Sequence, residues 1–549
     1  MPGRKRFFET TLTAARIADL VDGGWSDRLL DSDIGGWAAR QPELPVITDR
    51  HGTMTWGEFA EEVDAVSKGL LELGARPGVV VQVQLPNWRQ FAVTVVAAER
   101  IGAVVNPVAP IFRANEVSVM SELARPAIVV TAGEFRGFEL AAMHAELRER
   151  CPWVQELIVV GESAPVDALT WDELVEQGRF SSYDRAAVEL LRPSPNDVCE
   201  VMFTSGTTGQ PKGVMHTQNT LNVAADLWFG AVGEGLDDSE TSPGRPVFHM
   251  ASTLAHQTGY LFGIRAPLIT GGHVVLQDVW DPQEFVDLIE QQRIEISMGA
   301  TPFLADVLAI DGVAERDLGS WKRFVCAGAA IPEPVLEKAD ALLPCTVMPG
   351  WGMTECGLLT VGRPSDPFER RLTDGSPLPG NEVRVVDEAG APVVGEEGDL
   401  QCRGSLLFVG YAQGRELSES CWTDSWFDTG DRAVMDDAGY IKISGRTKDL
   451  VIRGGENVPV KEVEDVLLRY PKVAGVAIVG KPHERLGEIG CAFVIPAADP
   501  PTLGELTEFL ADQDVTRQFW PEELVIVDEF PMTPSGKVQK YKLRATFDG

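Results

Sequence analysis

Between residues 78 and 200 the apolar positions come in short runs separated by stretches of helical spacing. Val79–Leu85 (VVVQVQL) predicts a strand and Phe91–Ile101 a helix. Ala127–Val130 and Val154–Val160 predict two more strands, and Trp171–Gln177 a second helix. Strands alternating with helices predict a parallel sheet covered on both faces. The texture recurs from 246 to 348, with strands at Gly272–Leu276, Ile294–Met298 and Phe324–Cys326 and helices at Pro282–Gln291 and Pro334–Leu342. Two doubly wound lobes follow. From 374 to 444 short strands (Glu382–Val386, Gly398–Arg403, Gly439–Ile443) lie between Gly and Asp turns, which predicts a small antiparallel sheet or barrel. Beyond about 448, helical Val460–Arg469 and Leu503–Asp512 alternate with strands Val473–Val479, Gly490–Val494 and Glu523–Val527. That is enough for a separate small α+β domain.

Composition narrows the function. The 549 residues suffice for three or four units at roughly 150 residues each, and 44 % apolar content supports a large core. With 48 basic and 82 acidic residues the net charge is −34. Such a field repels nucleic acids and like-charged membranes. An anionic substrate must therefore be held by local lysines, arginines, backbone N–H groups or a metal. The eight cysteines (151, 199, 326, 345, 356, 402, 421, 491) form no Cys-x-x-Cys pair, which argues against zinc and for reduced thiols in a cytoplasm. Arg4, Lys5 and Arg6 have no apolar run behind them, so Met1–Leu20 does not read as a secretory signal. Tyr260–Leu276, the most apolar long stretch, is interrupted by Arg265 and glycines and is not a membrane span.

The densest chemistry lies at Thr204-Ser-Gly-Thr-Thr-Gly-Gln-Pro-Lys-Gly213, after the apolar triplet Val201–Phe203. Its glycines let backbone N–H groups turn inward, Thr204, Ser205, Thr207 and Thr208 add hydroxyls, and Lys212 adds a cation. A strand ending in such a loop is a phosphate cradle. It is not a Walker A loop, because Pro211 precedes Lys212 and Gly213 follows it.

This segment resembles the phosphate-binding signature of the adenylate-forming superfamily of acyl- and aryl-CoA ligases. Further segments match in the expected order over roughly residues 50–542. The resemblance implies an N-terminal adenylation domain over 1–447, with two doubly wound lobes and the barrel-like subdomain. A mobile C-terminal domain over 448–549 would swing about a hinge at Lys448. It also implies ATP, Mg²⁺ and CoA, an apolar carboxylic acid as substrate, and either CoA or a phosphopantetheine carrier protein as acceptor. Nucleic acid and membrane are not implied as partners, a homodimer is compatible with it, and the expected location is the cytoplasm.

Carried over residue by residue, the resemblance assigns ATP binding to Thr204, Ser205, Gly206, Thr207, Thr208, Gly209 and Lys212. Gly328, Ala329 and Ala330, in the small-residue run Cys326-Ala-Gly-Ala-Ala330, would wall the adenine. So would Trp351 in Gly350-Trp-Gly-Met-Thr-Glu355, where the family usually has Tyr; Gly352 and Met353 follow it. Thr354 would meet a phosphate oxygen and Glu355 the magnesium, an ion that favours one or two carboxylates plus phosphates. Asp431 in Asp428-Thr-Gly-Asp431 would accept from the ribose diol, with Arg446 assisting and Asp428 structural. His249 in Pro246-Val-Phe-His-Met250 would orient the substrate carboxylate, although a His among apolar residues is more often a satisfied core residue. His256 has no such support. Trp228, Leu254, Phe303, Gly328, Met353 and Leu358 would line the acyl pocket with His249, drawn from segments 228–230, 249–259, 299–304, 326–329 and 348–358. Lys537 in Thr533-Pro-Ser-Gly-Lys537 would bridge carboxylate and α-phosphate. Arg453, Gly454 and Gly455 would pass the pantetheine arm in the second step. The nearest alternative is an acyl-AMP ligase that passes its product to a carrier protein or partner enzyme. A non-catalytic nucleotide-binding protein is a more distant one.

Overall fold

The structure is a computed structural model that describes residues 8–162, 164–165, 167–204, 211–236, 245–328, 331–446, 451–531, 538 and 540–547, with backbone alone at 445, 446, 461 and 541. The runs of β-branched residues build two large sheets. The first has seven strands in the order Leu169–Thr170, Glu156–Val160, Ile128–Ala132, Val80–Gln84, Val104–Pro107, Val198–Thr204, Lys212–Thr217. Its pairings are parallel except the last, an antiparallel hairpin. The second has nine strands, with Val247–Met250 between His273–Leu276 and Ile296–Gly299, followed by Arg323–Ala327, Thr346–Met353 and Gly357–Val361. One continuous apolar core takes side chains from both sheets. Helix Gln218–Val232 runs through it and is buried on nearly every face, as expected of an element that meets protein all round.

Residues 381–446 form the expected small antiparallel sheet, six strands counted from Asn381–Val386 to Ile441–Arg446. From Val451 onward a five-stranded sheet carries helices Val460–Leu467 and Leu503–Asp512 on its own apolar core. The chain is thus a large α/β domain followed by a small α+β domain. Two helices that periodicity did not announce, Ala114–Ala124 and Leu140–Arg150, complete the first lobe.

The strand ends set the site. Val198–Thr204, Arg323–Ala327 and Thr346–Met353 all deliver their carboxyl ends to one cleft, the usual place for a ligand in an open α/β sheet. Among the described residues, no helix is long and apolar enough to cross a membrane.

Candidate active site

The cleft lies between the two domains and is open to solvent. At its phosphate end Thr204 and Lys212 are paired across the hairpin, so strand register holds them at the two legs of the loop. Residues 205–210 lie outside the described residues, so Ser205, Gly206, Thr207, Thr208 and Gly209 are not placed. The C-terminal leg is clasped by a segment that sequence reasoning missed. Gln413 donates from Nε2 to the Pro211 carbonyl (2.6 Å) and accepts from the Gly213 N–H (3.1 Å). The Ala412 N–H donates to the Gly213 carbonyl (2.7 Å). Lys212 Nζ stands 4.7 Å from the centre of the Tyr411 ring, a distance suited to cation–π attraction. The same Tyr411 donates its hydroxyl to Glu355 Oε1 (2.7 Å). Burial, and then the Glu355 carboxylate, push the Tyr411 phenol well above its ordinary range, so it remains a neutral donor. The sequence clue was an aromatic between two glycines, Gly410-Tyr-Ala-Gln-Gly414.

Glu355 is reached through a tight hairpin between Thr346–Met353 and Gly357–Val361. A Cβ on Gly352 would fall 1.8 Å from the Gly357 carbonyl oxygen, so this turn admits only glycine there. His216 fastens the hairpin from below, its Nε2 donating to the Thr354 carbonyl at 2.8 Å. Burial pushes His216 down to about 4, which keeps it neutral. Gly352, Met353, Thr354 and Glu355 all line the cleft.

The ribose end is built around Asp431, which is buried and lines the cleft. Trp351 Nε1 donates to its Oδ2 at 2.8 Å. Trp351 is itself buried, and this bond braces the Asp431 carboxylate. Arg446 is paired with Asp431 in strand register; its side chain lies outside the description. Asp428 also lines the cleft and is tied to Thr423 (3.0 Å) and Gln401. Gly328 lines the cleft, whereas Ala329 and Ala330 lie outside the described residues.

The acyl end differs most from expectation. In strand Val247–Met250, Phe248 and Met250 enter the main core, while Val247 and His249 point to the opposite face. The period of two therefore turns His249 away from the cleft. Its ring lies 4.3 Å from that of Phe285. Burial pushes its pKa down to about 3, with the Gln277 side chain opposing. Trp228 sits one layer behind the wall, its ring 4.5 Å from that of Phe262. Leu254 is fully buried elsewhere, and Phe303 packs on Trp280. Met353, Leu358 and Gly328 do line the cleft, joined by Met202, Phe203, Gln257, Thr258, Phe262 and Met298. His256, unsupported by sequence, also reaches it, with Nδ1 3.4 Å from Glu456 Oε1 of the small domain.

The small domain covers the cleft with the hairpin Val451–Arg453/Glu456–Val458. Gly454 and Gly455 form its turn at φ of 60° and 88°. Gly455 enters the cleft, its Cα 3.7 Å from where a Cβ on Gly328 would stand. Arg453 turns away and pairs with Glu522 at 2.6 Å. Elsewhere along the seam Arg485 forks onto Asp306 (2.9 and 2.8 Å), and the Thr516 N–H donates to Glu116 (3.1 Å). Lys448 and Lys537 fall outside the described residues.

Comparison with known proteins agrees with this architecture. The family model described as AMP-binding enzyme matches residues 36–412, and that of the AMP-binding enzyme C-terminal domain matches 462–537. A medium-chain fatty-acid–CoA ligase of Escherichia coli (strain K12) is 31 % identical over 551 aligned residues, 98 % of this chain and 95 % of its own length. A 2,3-dihydroxybenzoate-AMP ligase of Bacillus subtilis (strain 168) is 29 % identical, over 95 % of this chain and 94 % of its own. Among solved structures, the amide bond synthetase McbA from Marinactinospora thermotolerans superposes with a TM-score of 0.82 at 25 % identity, covering 94 % of this chain and 99 % of that one.

Proposed function

Because the chain belongs to the AMP-binding enzyme family, we propose that it activates an apolar carboxylic acid with ATP and passes the acyl group to CoA. The observation that carries this reading is the convergence of Thr204, Lys212, Glu355 and Asp431 on one cleft roofed by the Gly454–Gly455 turn.

A carboxylate is a poor acylating agent, since its charge is delocalised and oxide is a bad leaving group. Attack on the α-phosphorus of ATP makes the acyl-adenylate and expels pyrophosphate. Both reactants are anions, so positioning and charge neutralisation dominate the barrier. Lys212 supplies positive charge at the phosphate end, held in place by the Gln413 clasp and the Tyr411 ring. Asp431, braced by Trp351, would accept from the ribose diol. Glu355 offers a hard carboxylate oxygen of the kind magnesium prefers beside phosphates, and Thr354 a hydroxyl for a phosphate oxygen; bound there, the ion would neutralise phosphate charge. Lys537 carries the remaining cation of this step by its motif, and Lys448 the hinge.

In the second step the thiol attacks the acyl-adenylate carbonyl and AMP leaves. A side-chain-free turn at Gly454 and Gly455 over the cleft favours entry of a narrow pantetheine arm there. Both lobes of the relatives' range are represented, CoA ligases and AMP ligases. Delivery to a carrier protein is therefore the second reading.

Acid-dependent exchange of pyrophosphate into ATP tests the first step, and mass spectrometry of the thioester formed with CoA alone tests the second. Exchange without a CoA product would favour the carrier reading. Lys537→Ala should suppress acyl-AMP formation about 10²–10³-fold while sparing thioester formation from supplied acyl-AMP. Equal loss of both steps would remove the role given to Lys537.

A further inference from the structure

Two opposite charges share the phosphate end of the cleft, since Lys212 and Glu355 both line it. In a partly buried site such groups attract more strongly than in water. A direct bridge between them would occupy the cation that a triphosphate needs, and each binding event would have to break it. Tyr411 offers each of them another partner. The Lys212 ammonium lies over the ring, 4.7 Å from its centre, and Glu355 Oε1 accepts from the hydroxyl at 2.7 Å. A phenol hydroxyl leaves the ring in its plane, whereas a cation is drawn to the face. Cation and carboxylate therefore meet different sides of one side chain. The face also attracts the ammonium without engaging its N–H groups one by one, so these can still reach phosphate oxygens.

The surroundings fix Tyr411 in this place. Its side chain is buried, 2 % exposed. Its N–H donates to Ser418 Oγ at 2.8 Å, and its backbone bridges to Val214, two residues from Lys212 on the same strand. The Phe408 ring lies 4.7 Å from that of Tyr411, and the Phe408 N–H donates to the Glu355 carbonyl at 2.7 Å. One short segment thus holds the strand of Lys212 and the hairpin of Glu355 together.

We propose that Tyr411 is a positioning residue for nucleotide binding, which keeps Lys212 and Glu355 from pairing with each other and so leaves the ammonium ready for a triphosphate. This role presupposes the reading of the cleft as an ATP site. It exceeds fastening, which any side chain of similar bulk could supply, because it needs the ring face and the hydroxyl at once.

The test reads ATP binding by calorimetry on the full chain, with a chelator present so that no divalent cation takes part. Four forms are compared: wild type, Tyr411→Leu, Glu355→Gln and the double variant. Tyr411→Leu loses both contacts, so Lys212 turns to Glu355 and ATP should bind about fivefold more weakly. Glu355→Gln removes the competing charge. Its gain in ATP affinity should therefore be about fivefold larger in the leucine background than in the wild type. Tyr411→Met takes the place of the leucine variant if that one does not fold. Unchanged ATP affinity in Tyr411→Leu, or the same gain from Glu355→Gln in both backgrounds, would make Tyr411 a packing residue and overturn the proposal. Absence of ATP binding to the wild type would remove the nucleotide reading and this role with it. The expected coupling without acid-dependent pyrophosphate exchange would keep the role of Tyr411 and remove the adenylation reading alone.

Discussion

Gly455→Ala separates the two half-reactions. In the small domain's turn, a Cβ at this position would stand 3.0 Å from the Ala300 Cβ of the large domain. Methyl carbons in contact lie at about 3.5–4.0 Å, so one surface must retreat by several tenths of an ångström. Ala300 precedes helix Thr301–Leu308 and is itself buried, so it yields poorly. Overpacking of this kind costs about 1–3 kcal/mol. The positive φ of 88° adds about 1–2 kcal/mol for any L side chain. That second cost belongs to the turn itself and is present however the domains are arranged. Only the contact with Ala300 opposes the arrangement seen here, with the Gly454–Gly455 turn over the cleft. Its population should fall about 5- to 150-fold. Thioester formation from preformed acyl-AMP should slow in proportion in single-turnover quench experiments. Acid-dependent pyrophosphate exchange should stay within about twofold. Ala300→Gly removes the opposing methyl, and the double variant should recover most of the second step. Equal slowing of both steps, or no recovery in the double variant, would refute the reasoning.

Lys212→Ala should lower pyrophosphate exchange about 10²–10³-fold, the usual effect of deleting one charge at a developing anion, with the ATP dependence as the readout. Trp351→Phe keeps the packing but removes the indole N–H from Asp431, and should raise KM for ATP about tenfold without changing KM for the acid. Glu200→Gln should change how stability depends on pH. The wild-type carboxyl has its folded pKa raised from 4.5 to about 8, so between those values the folded state holds a proton that the unfolded state lacks. Wild-type stability therefore falls as pH rises through that window, by about 1.4 kcal/mol per unit from this group. From pH 6 to 7.5 the wild type should lose about 2 kcal/mol relative to the variant in urea unfolding. Parallel curves would show that Glu200 does not hold that proton.

The strands were legible because β-branched runs bounded by Gly, Asp and Pro leave few alternatives, and Val80–Gln84 and Glu156–Val160 lie within a residue or two of their expected limits. Leu140–Arg150 was less so: its polar positions give little amphipathic contrast, and the sheet it covers supplies the stability. At the site, glycine spacing marked the Gly350–Glu355 hairpin because the close approach at Gly352 leaves no other residue. His249 misled because a motif fixes a position in a strand and not the face it points to; one step of register sends it to Phe285. The contacts of His256 with Glu456 and of Gln257 with Glu200 join residues far apart along the chain, and no local pattern encodes such pairs.

The clasp of 408–413 on the loop leg has a practical consequence for recombination. Gln413 and Ala412 fasten Pro211 and Gly213, while Tyr411 meets Lys212 with its face and Glu355 with its hydroxyl. The two segments are about two hundred residues apart, yet each is the other's mould. A chimera that takes 204–213 from one parent and 408–413 from another inherits half a fastening. Crossovers intended to exchange acid specificity should therefore carry both pieces from the same parent.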